Sequence, residues 1–188
     1  MKYPSGIAKC KSKTINYGNR GMLFENEINE TNSYYLNNDI AIIYKKPTPI
    51  TVTKVDFHSR RDAIIKEAYF KTPSTTDYNG IYKGKYIDFE AKETKLEYFP
   101  LRNIHEHQID HLKRIVYHGG IGFLLVYFSK FDKIFFLSAE KLFFFLDNYV
   151  KKTIPLEYFE KEGYLIKFKI NPRIDYLNII DKIYFKGD

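Results

Sequence analysis

Apolar positions recur three and four residues apart from Asn19 to about Leu36. Phe24, Ile28, Thr31 and Tyr35 fall on one stripe, which predicts a helix with Asn19 as N-cap and Asn37-Asn38-Asp39 as stop. Ile40 to Tyr44 is a short β-branched run that predicts a buried strand, broken by Lys45-Lys46-Pro47-Thr48-Pro49. Ile50 to Asp56 and Ala63 to Phe70 are β-like runs joined by His58-Ser59-Arg60-Arg61, so a hairpin is expected there. Lys45, Lys46, Lys54, Arg60, Arg61 and Lys66, with Pro47 and Pro49, make this hairpin too polar for a core element. It is expected to project as a stalk over about residues 47–73. Thr72 to Asn79 reads as a loop, and Tyr78-Asn79-Gly80 as a turn.

Lys85 to Lys92 alternates with period two, placing Ile87, Phe89 and Ala91 on one face and Asp88, Glu90 and Lys92 on the other. Asn103 to His118 has helical periodicity, an inner face of Ile104, Gln108, Leu112 and Ile115, and a stop at Gly119-Gly120. Strands over Gly122 to Phe128 and Lys133 to Leu137, a helix over Ala139 to Tyr149, a strand over Tyr164 to Ile170 and a closing helix from about Arg173 to Tyr184 complete a mixed α/β plan.

A chain of 188 residues suits one domain, taken as 17–188, behind a flexible basic arm over residues 1–16 that carries Lys2, Lys9, Lys11 and Lys13. The longest apolar runs fall far short of the roughly 20 residues a membrane span needs, so no membrane partner and a cytoplasmic setting are expected. The single cysteine, Cys10, excludes internal disulfides and thiolate metal sites. A surplus of 30 Lys and Arg over 23 Asp and Glu, net +7, suits a polyanionic partner, nucleic acid before others.

The candidate chemistry lies at Asp77 and, after twelve intervening residues, Glu90-Ala91-Lys92. Alternation makes Glu90 and Lys92 neighbours, and a turn at Tyr78-Asn79-Gly80 would fold Asp77 back onto them. Two carboxylates and an ammonium at one point suit Mg²⁺ or Mn²⁺ and phosphoryl chemistry, with Lys92 facing the charge that develops on phosphorus. The same pattern would arise on a solvated strand face carrying an ordinary Glu-Lys pair. Gln108 sits at core phase, where an amide needs partners: its carbonyl would ligate metal, its amide would fix a water, or the backbone would satisfy it. His107 and His111 are four apart on a helix. The run His105-Glu106-His107-Gln108-Ile109 is nevertheless not a metalloprotease motif, because Ile109 stands where the second histidine belongs.

Six segments, in order, carry a family resemblance: Asn16-Tyr17-Gly18-Asn19-Arg20-Gly21-Met22, Lys45-Lys46-Pro47-Thr48-Pro49, Ile65-Lys66-Glu67-Ala68-Tyr69-Phe70, Thr75-Thr76-Asp77-Tyr78-Asn79-Gly80, Tyr86 to Thr94, and His105-Glu106-His107-Gln108. With them the chain resembles the RecU family of Holliday junction resolvases, within the restriction-endonuclease-like PD-(D/E)xK superfamily. The resemblance covers Tyr17 to about Leu146 and is weakest after Val150.

The resemblance implies a restriction-endonuclease-like mixed sheet flanked by helices, with a protruding β-hairpin stalk. It implies a homodimer that binds four-way junction DNA and makes paired symmetric nicks during recombination and repair, in the cytoplasm at the nucleoid, using Mg²⁺ with Mn²⁺ as a substitute. Thr75, Asp77, Glu90 and Gln108 would surround the metal, and Lys92 would stabilise the transition state. Lys45 and Arg60 match positions tied to junction binding, and Lys46, Lys54, Arg61 and Arg20 join them as expected DNA contacts. A strand-exchange recombinase and a branch-migration motor are partners by resemblance alone. Two alternatives stay open: a same-fold endonuclease acting on ordinary duplex, and a junction-binding protein without catalysis.

Overall fold

The computed structural model describes residues 20–57, 61, 63–71 and 75–185. The basic arm, Cys10, the expected N-cap Asn19 and the stalk residue Arg60 lie outside them. The first helix, α1 (Arg20–Asn37), buries the stripe its periodicity marked, with Phe24, Ile28, Thr31 and Tyr35 all turned inward.

The strands β1 (Ile42–Lys45), β4 (Tyr78–Tyr82), β5 (Lys85–Thr94), β7 (Ile121–Phe128), β8 (Lys133–Ser138) and β10 (Tyr164–Ile166) form one mixed sheet in the order β1-β4-β5-β7-β8-β10. All neighbours are antiparallel except β5 and β7, which are parallel and joined by a crossover through helix α2 (Glu106–Tyr117). Two short strands, β6 (Tyr98–Pro100) and β9 (Thr153–Pro155), pair outside this sheet. They, and helix α4 (Leu156–Glu162), carry no periodic signal in the sequence and were not expected.

Helices cover both faces of the sheet. On one side, α1 and α5 (Leu177–Tyr184) enclose Ile87, Phe89, Phe123 and Phe136. On the other, α2, α3 (Ala139–Asn148) and α4 enclose Leu124, Val126, Phe135 and Leu137. Double coverage explains why β7 is apolar throughout rather than alternating. On the α1 side, stacked rings cross four strands: Tyr78 on Phe89 with centroids 4.7 Å apart, Phe89 on Phe123 at 4.6 Å, and Phe123 on Phe136 at 4.3 Å. Such cross-strand aromatic pairs hold register as well as burying area.

Two expectations are corrected. The run at Ile40 to Tyr44 is an edge strand, with Ile43 buried and Ile42 and Tyr44 exposed, because only one neighbour, β4, lies beside it. Tyr78-Asn79-Gly80 is the start of β4 and not a turn. Gly80 is needed for space: a Cβ there would lie 2.0 Å from the Ile42 carbonyl oxygen, where β1 crosses closest. The turn lies five residues later, at Lys83-Gly84, where both residues have positive φ, as a two-residue hairpin loop demands.

The expected stalk is present as β2 (Ile50–Asp56) paired with β3 (Ile64–Phe70), a separate ribbon outside the main sheet. Its residues are exposed along nearly their whole length, including Val52, Val55, Ile64 and Ile65.

Candidate active site

The ladder between β4 and β5 sets Tyr78 opposite Phe89, and so delivers Asp77, the residue before Tyr78, to the position beside Glu90. Asp77 donates its backbone N–H to Glu90 Oε2 at 3.1 Å. Lys92, next on the same face of β5, brings its ammonium against Glu90 Oε1 and to 3.9 Å from Asp77 Oδ2. The three residues therefore meet, through antiparallel pairing rather than the turn expected from the sequence.

Their environments differ in a way that matters chemically. The Glu90 side chain is fully buried, whereas 40% of Asp77 and 27% of Lys92 remain exposed. Burial pushes the Glu90 carboxyl up to about 7; the Asp77 carboxylate adds to the rise, and Lys92 opposes it. Glu90 Oε1 makes no hydrogen bond of proper geometry, so the Lys92 ammonium is its only polar contact among the described residues. A solvated strand face does not look like this: Asp88 and Glu90 both lie beneath α2 with no exposure.

The donor set fits a hard divalent cation. Mg²⁺ usually takes one or two carboxylates, keeps several waters and leaves room for phosphate oxygens. Asp77 and Glu90 supply two carboxylates, one of them open to solvent and the other with an oxygen lacking a normal partner. Among the described residues no three His, Cys, Asp or Glu side chains gather as a metal cage.

Thr75 is half-buried just before Thr76, and its hydroxyl makes a long 3.4 Å contact to the Thr76 carbonyl. Gln108 is buried at the first turn of α2, and its side-chain oxygen accepts the His105 backbone N–H at 2.9 Å. That oxygen caps the helix with one lone pair and keeps the other.

The expected DNA contacts divide. Lys45 is exposed and pairs with Glu25 at 2.5 Å on the surface, while Lys54 and Arg61 stand exposed on the stalk. Arg20 opens α1. Lys46 turns inward: its ammonium is 2.7 Å from Asp88 Oδ2 and 3.0 Å from Thr76 Oγ1. A cleft of about 250 Å³ beside it joins Lys45 to Pro49 at the root of the stalk with Thr75, Thr76 and Asp77.

Asp88 is the residue whose part the sequence left unassigned. Its oxygens meet Lys46, the Thr76 hydroxyl, the Tyr86 hydroxyl at 3.1 Å and His111 Nε2 at 3.1 Å. The available signal was phase: Tyr86, Asp88 and Glu90 share one face of β5, and His111 is one helical turn after Gln108.

Residues 19–182 match the family described as Recombination protein U. The chain is 48% identical to Holliday junction resolvase RecU of Bacillus cytotoxicus and 47% identical to that of Bacillus anthracis, each alignment covering 98% of both chains. Among solved structures it is similar to Hjc, a Holliday junction resolvase from Archaeoglobus fulgidus, at 11% identity and a TM-score of 0.47, over 77% of this chain and 95% of that one. No helix among the described residues is long and apolar enough to cross a membrane. The near-complete match in sequence, with Asp77, Glu90 and Lys92 gathered on one hairpin, makes this chain a member of the Recombination protein U (RecU) family.

Proposed function

We propose that this protein is a Holliday junction resolvase, a homodimer that binds four-way DNA junctions and hydrolyses phosphodiester bonds in paired symmetric nicks. The observation that carries the reading is the meeting of half-exposed Asp77, buried Glu90 and Lys92 at one point of the sheet. The full-length similarity to proteins named Holliday junction resolvase supports the choice of substrate over ordinary duplex.

Asp77 and Glu90 would hold Mg²⁺, or Mn²⁺ in its place, with the Thr75 hydroxyl and the free lone pair of the Gln108 carbonyl as further oxygen donors. When bound, the ion supplies positive charge that polarises a phosphoryl group and acidifies a water. Asp77 fixes Glu90 through its backbone N–H, so the two carboxylates keep their spacing without a rotamer search. The Lys92 ammonium, held by Glu90 and facing Asp77, is placed to meet the negative charge that grows on the phosphoryl oxygens. Glu90 gives up its proton near neutral pH as positive charge arrives beside it.

Lys54 and Arg61 on the stalk, with Lys45 at its root, provide phosphate contacts that read junction shape rather than base sequence, and Arg60 is assigned to the same contacts by sequence alone. A two-fold dimer places one site on each of two equivalent strands, which accounts for cuts in pairs.

The test is cleavage of a labelled four-way junction against a matched linear duplex, with Mg²⁺ or with chelator, using wild type and Asp77→Asn. Paired nicks that need both the metal and Asp77, and that spare the duplex, are expected. Equal cutting of duplex would make this a general nuclease, and tight junction binding with no nicks in Mg²⁺ or Mn²⁺ would make it a binding protein.

A further inference from the structure

Lys46 stands where β1 ends and the stalk begins. Its neighbour Lys45 lies on the surface, but the Lys46 side chain is only 17% exposed and its ammonium points at the fully buried Asp88. Three bonds tie this residue to the site. Its backbone N–H donates to the Asp77 carbonyl at 2.8 Å, its ammonium donates to Thr76 Oγ1 at 3.0 Å, and the same ammonium pairs with Asp88 Oδ2 at 2.7 Å. Thr76 closes the triangle by donating its hydroxyl to the other Asp88 oxygen. Asp88 is two residues before Glu90 on the same face of β5, and His111 of α2 approaches it from above.

A buried carboxylate with this many partners is held in one place, and holds them in turn. A lysine committed in this way has no ammonium to offer a phosphate without first abandoning Asp88 in the interior, where an unpaired charge is strongly disfavoured. We propose that Lys46 is a positioning residue for hydrolysis and not a DNA contact. Through Asp88 and Thr76 it seats the Asp77 loop and the root of the stalk on the strand that carries Glu90, so one ion pair sets both the stalk's footing and the Asp77–Glu90 spacing. The inference rests on the nuclease reading above for its catalytic consequence, and on geometry alone for its structural one.

Three variants test it: Lys46→Met, which keeps the aliphatic stem and removes the charge, Lys46→Arg, which keeps the charge, and Thr76→Val, which removes the bridging hydroxyl. Each is read in three ways: junction affinity in chelator across a salt series, single-turnover cleavage with Mg²⁺ at saturating enzyme, and amide hydrogen exchange of the Asp77 segment in chelator. For Lys46→Met we expect an unchanged salt slope with affinity weakened no more than a few-fold, faster exchange at Asp77, and a cleavage rate lower by about tenfold or more, since small misplacements of reacting groups cost this much. Lys46→Arg should recover most of the rate.

A lysine that contacts phosphate behaves in the opposite way: its loss weakens binding and lowers the salt slope by about one while the saturated rate survives. That result would overturn the proposal. If circular dichroism shows Lys46→Met to be unfolded, Thr76→Val decides: unchanged rate and exchange in that folded variant refute the proposal. Wild type that fails to cut junctions would refute the nuclease reading instead, and the exchange measurement would still report whether Lys46 seats the Asp77 loop.

Discussion

Two β-hairpins of this molecule show opposite solutions to the same problem. In the β4–β5 hairpin, five residue pairs close on a two-residue loop, and Phe89 of β5 is stacked between Tyr78 and Phe123. In the β2–β3 hairpin, two seven-residue strands pair through a register irregularity around Lys54, and almost every side chain faces solvent. An isolated two-stranded ribbon is marginal in water. The first hairpin therefore has a geometry imposed by the core on one face and by α2 lying over β5 on the other, and can hold two carboxylates at a fixed spacing. The second has its geometry imposed only at its root, which suits an element that must meet a large and variable partner. On the proposed function, rigidity lies where bonds would be broken, and compliance where shape would be read.

Substitutions can break or sharpen this contrast. The largest effect is expected at the rigid hairpin: Lys92→Ala should lower the single-turnover cleavage rate about 10²-fold, as loss of one donor to a developing oxyanion does, while junction affinity in chelator stays within measurement error. A variant that loses affinity in step with rate would move Lys92 from the chemistry to the binding surface.

A second prediction concerns stability and pH. The Glu90 carboxyl is raised by burial to about 7, so in the folded, metal-free protein it stays protonated where an ordinary glutamate has ionised. Its favourable contribution is complete below the ordinary glutamate range and is lost as pH rises through about 7. Glu90→Gln, neutral at every pH, should melt close to wild type at pH 5 and be more stable at pH 8, by on the order of 2 kcal/mol. Thermal melts in chelator at the two pH values check this, and a difference that does not grow with pH would show an ordinary carboxyl.

The smallest effect belongs to the stalk. Ile64→Thr removes an apolar side chain that is 64% exposed, and should change the stability of the body by no more than about 0.5 kcal/mol in chemical denaturation. A larger loss would mean that the ribbon packs against something and is not the compliant element described.

The sequence made much of this legible, for reasons that differ between elements. Alternation across Lys85 to Lys92 separated Phe89 from Glu90 because period two is strict in a strand, and core phase along α1 and α2 marked Ile28, Gln108 and Leu112 for the interior. The Asp77–Glu90 encounter was expected from the wrong turn. Asn79-Gly80 has the composition of a hairpin loop, yet Gly80 is there because the β1 backbone leaves no room for a Cβ. The strands β6 and β9 have three residues each, too few to display a period. The Asp88 cluster was hidden for another reason. Its partners come from the stalk root, the Asp77 loop, β5 itself and α2, and no local pattern announces that Lys46 turns inward while Lys45 does not.

The Lys83-Gly84 loop lies beyond the last paired residues of its hairpin, and this has a consequence for how relatives are recognised. Residues added at that tip would lengthen the interval between Asp77 and Glu90 in the gene without moving either carboxylate. A single residue added within β4 would instead carry Asp77 to the other side of the sheet. The twelve-residue interval is thus a property of this hairpin's length rather than of the chemistry. A search that demands that number will pass over longer-tipped relatives with the same site, and the tip is the natural place to attach a fluorophore beside a working centre.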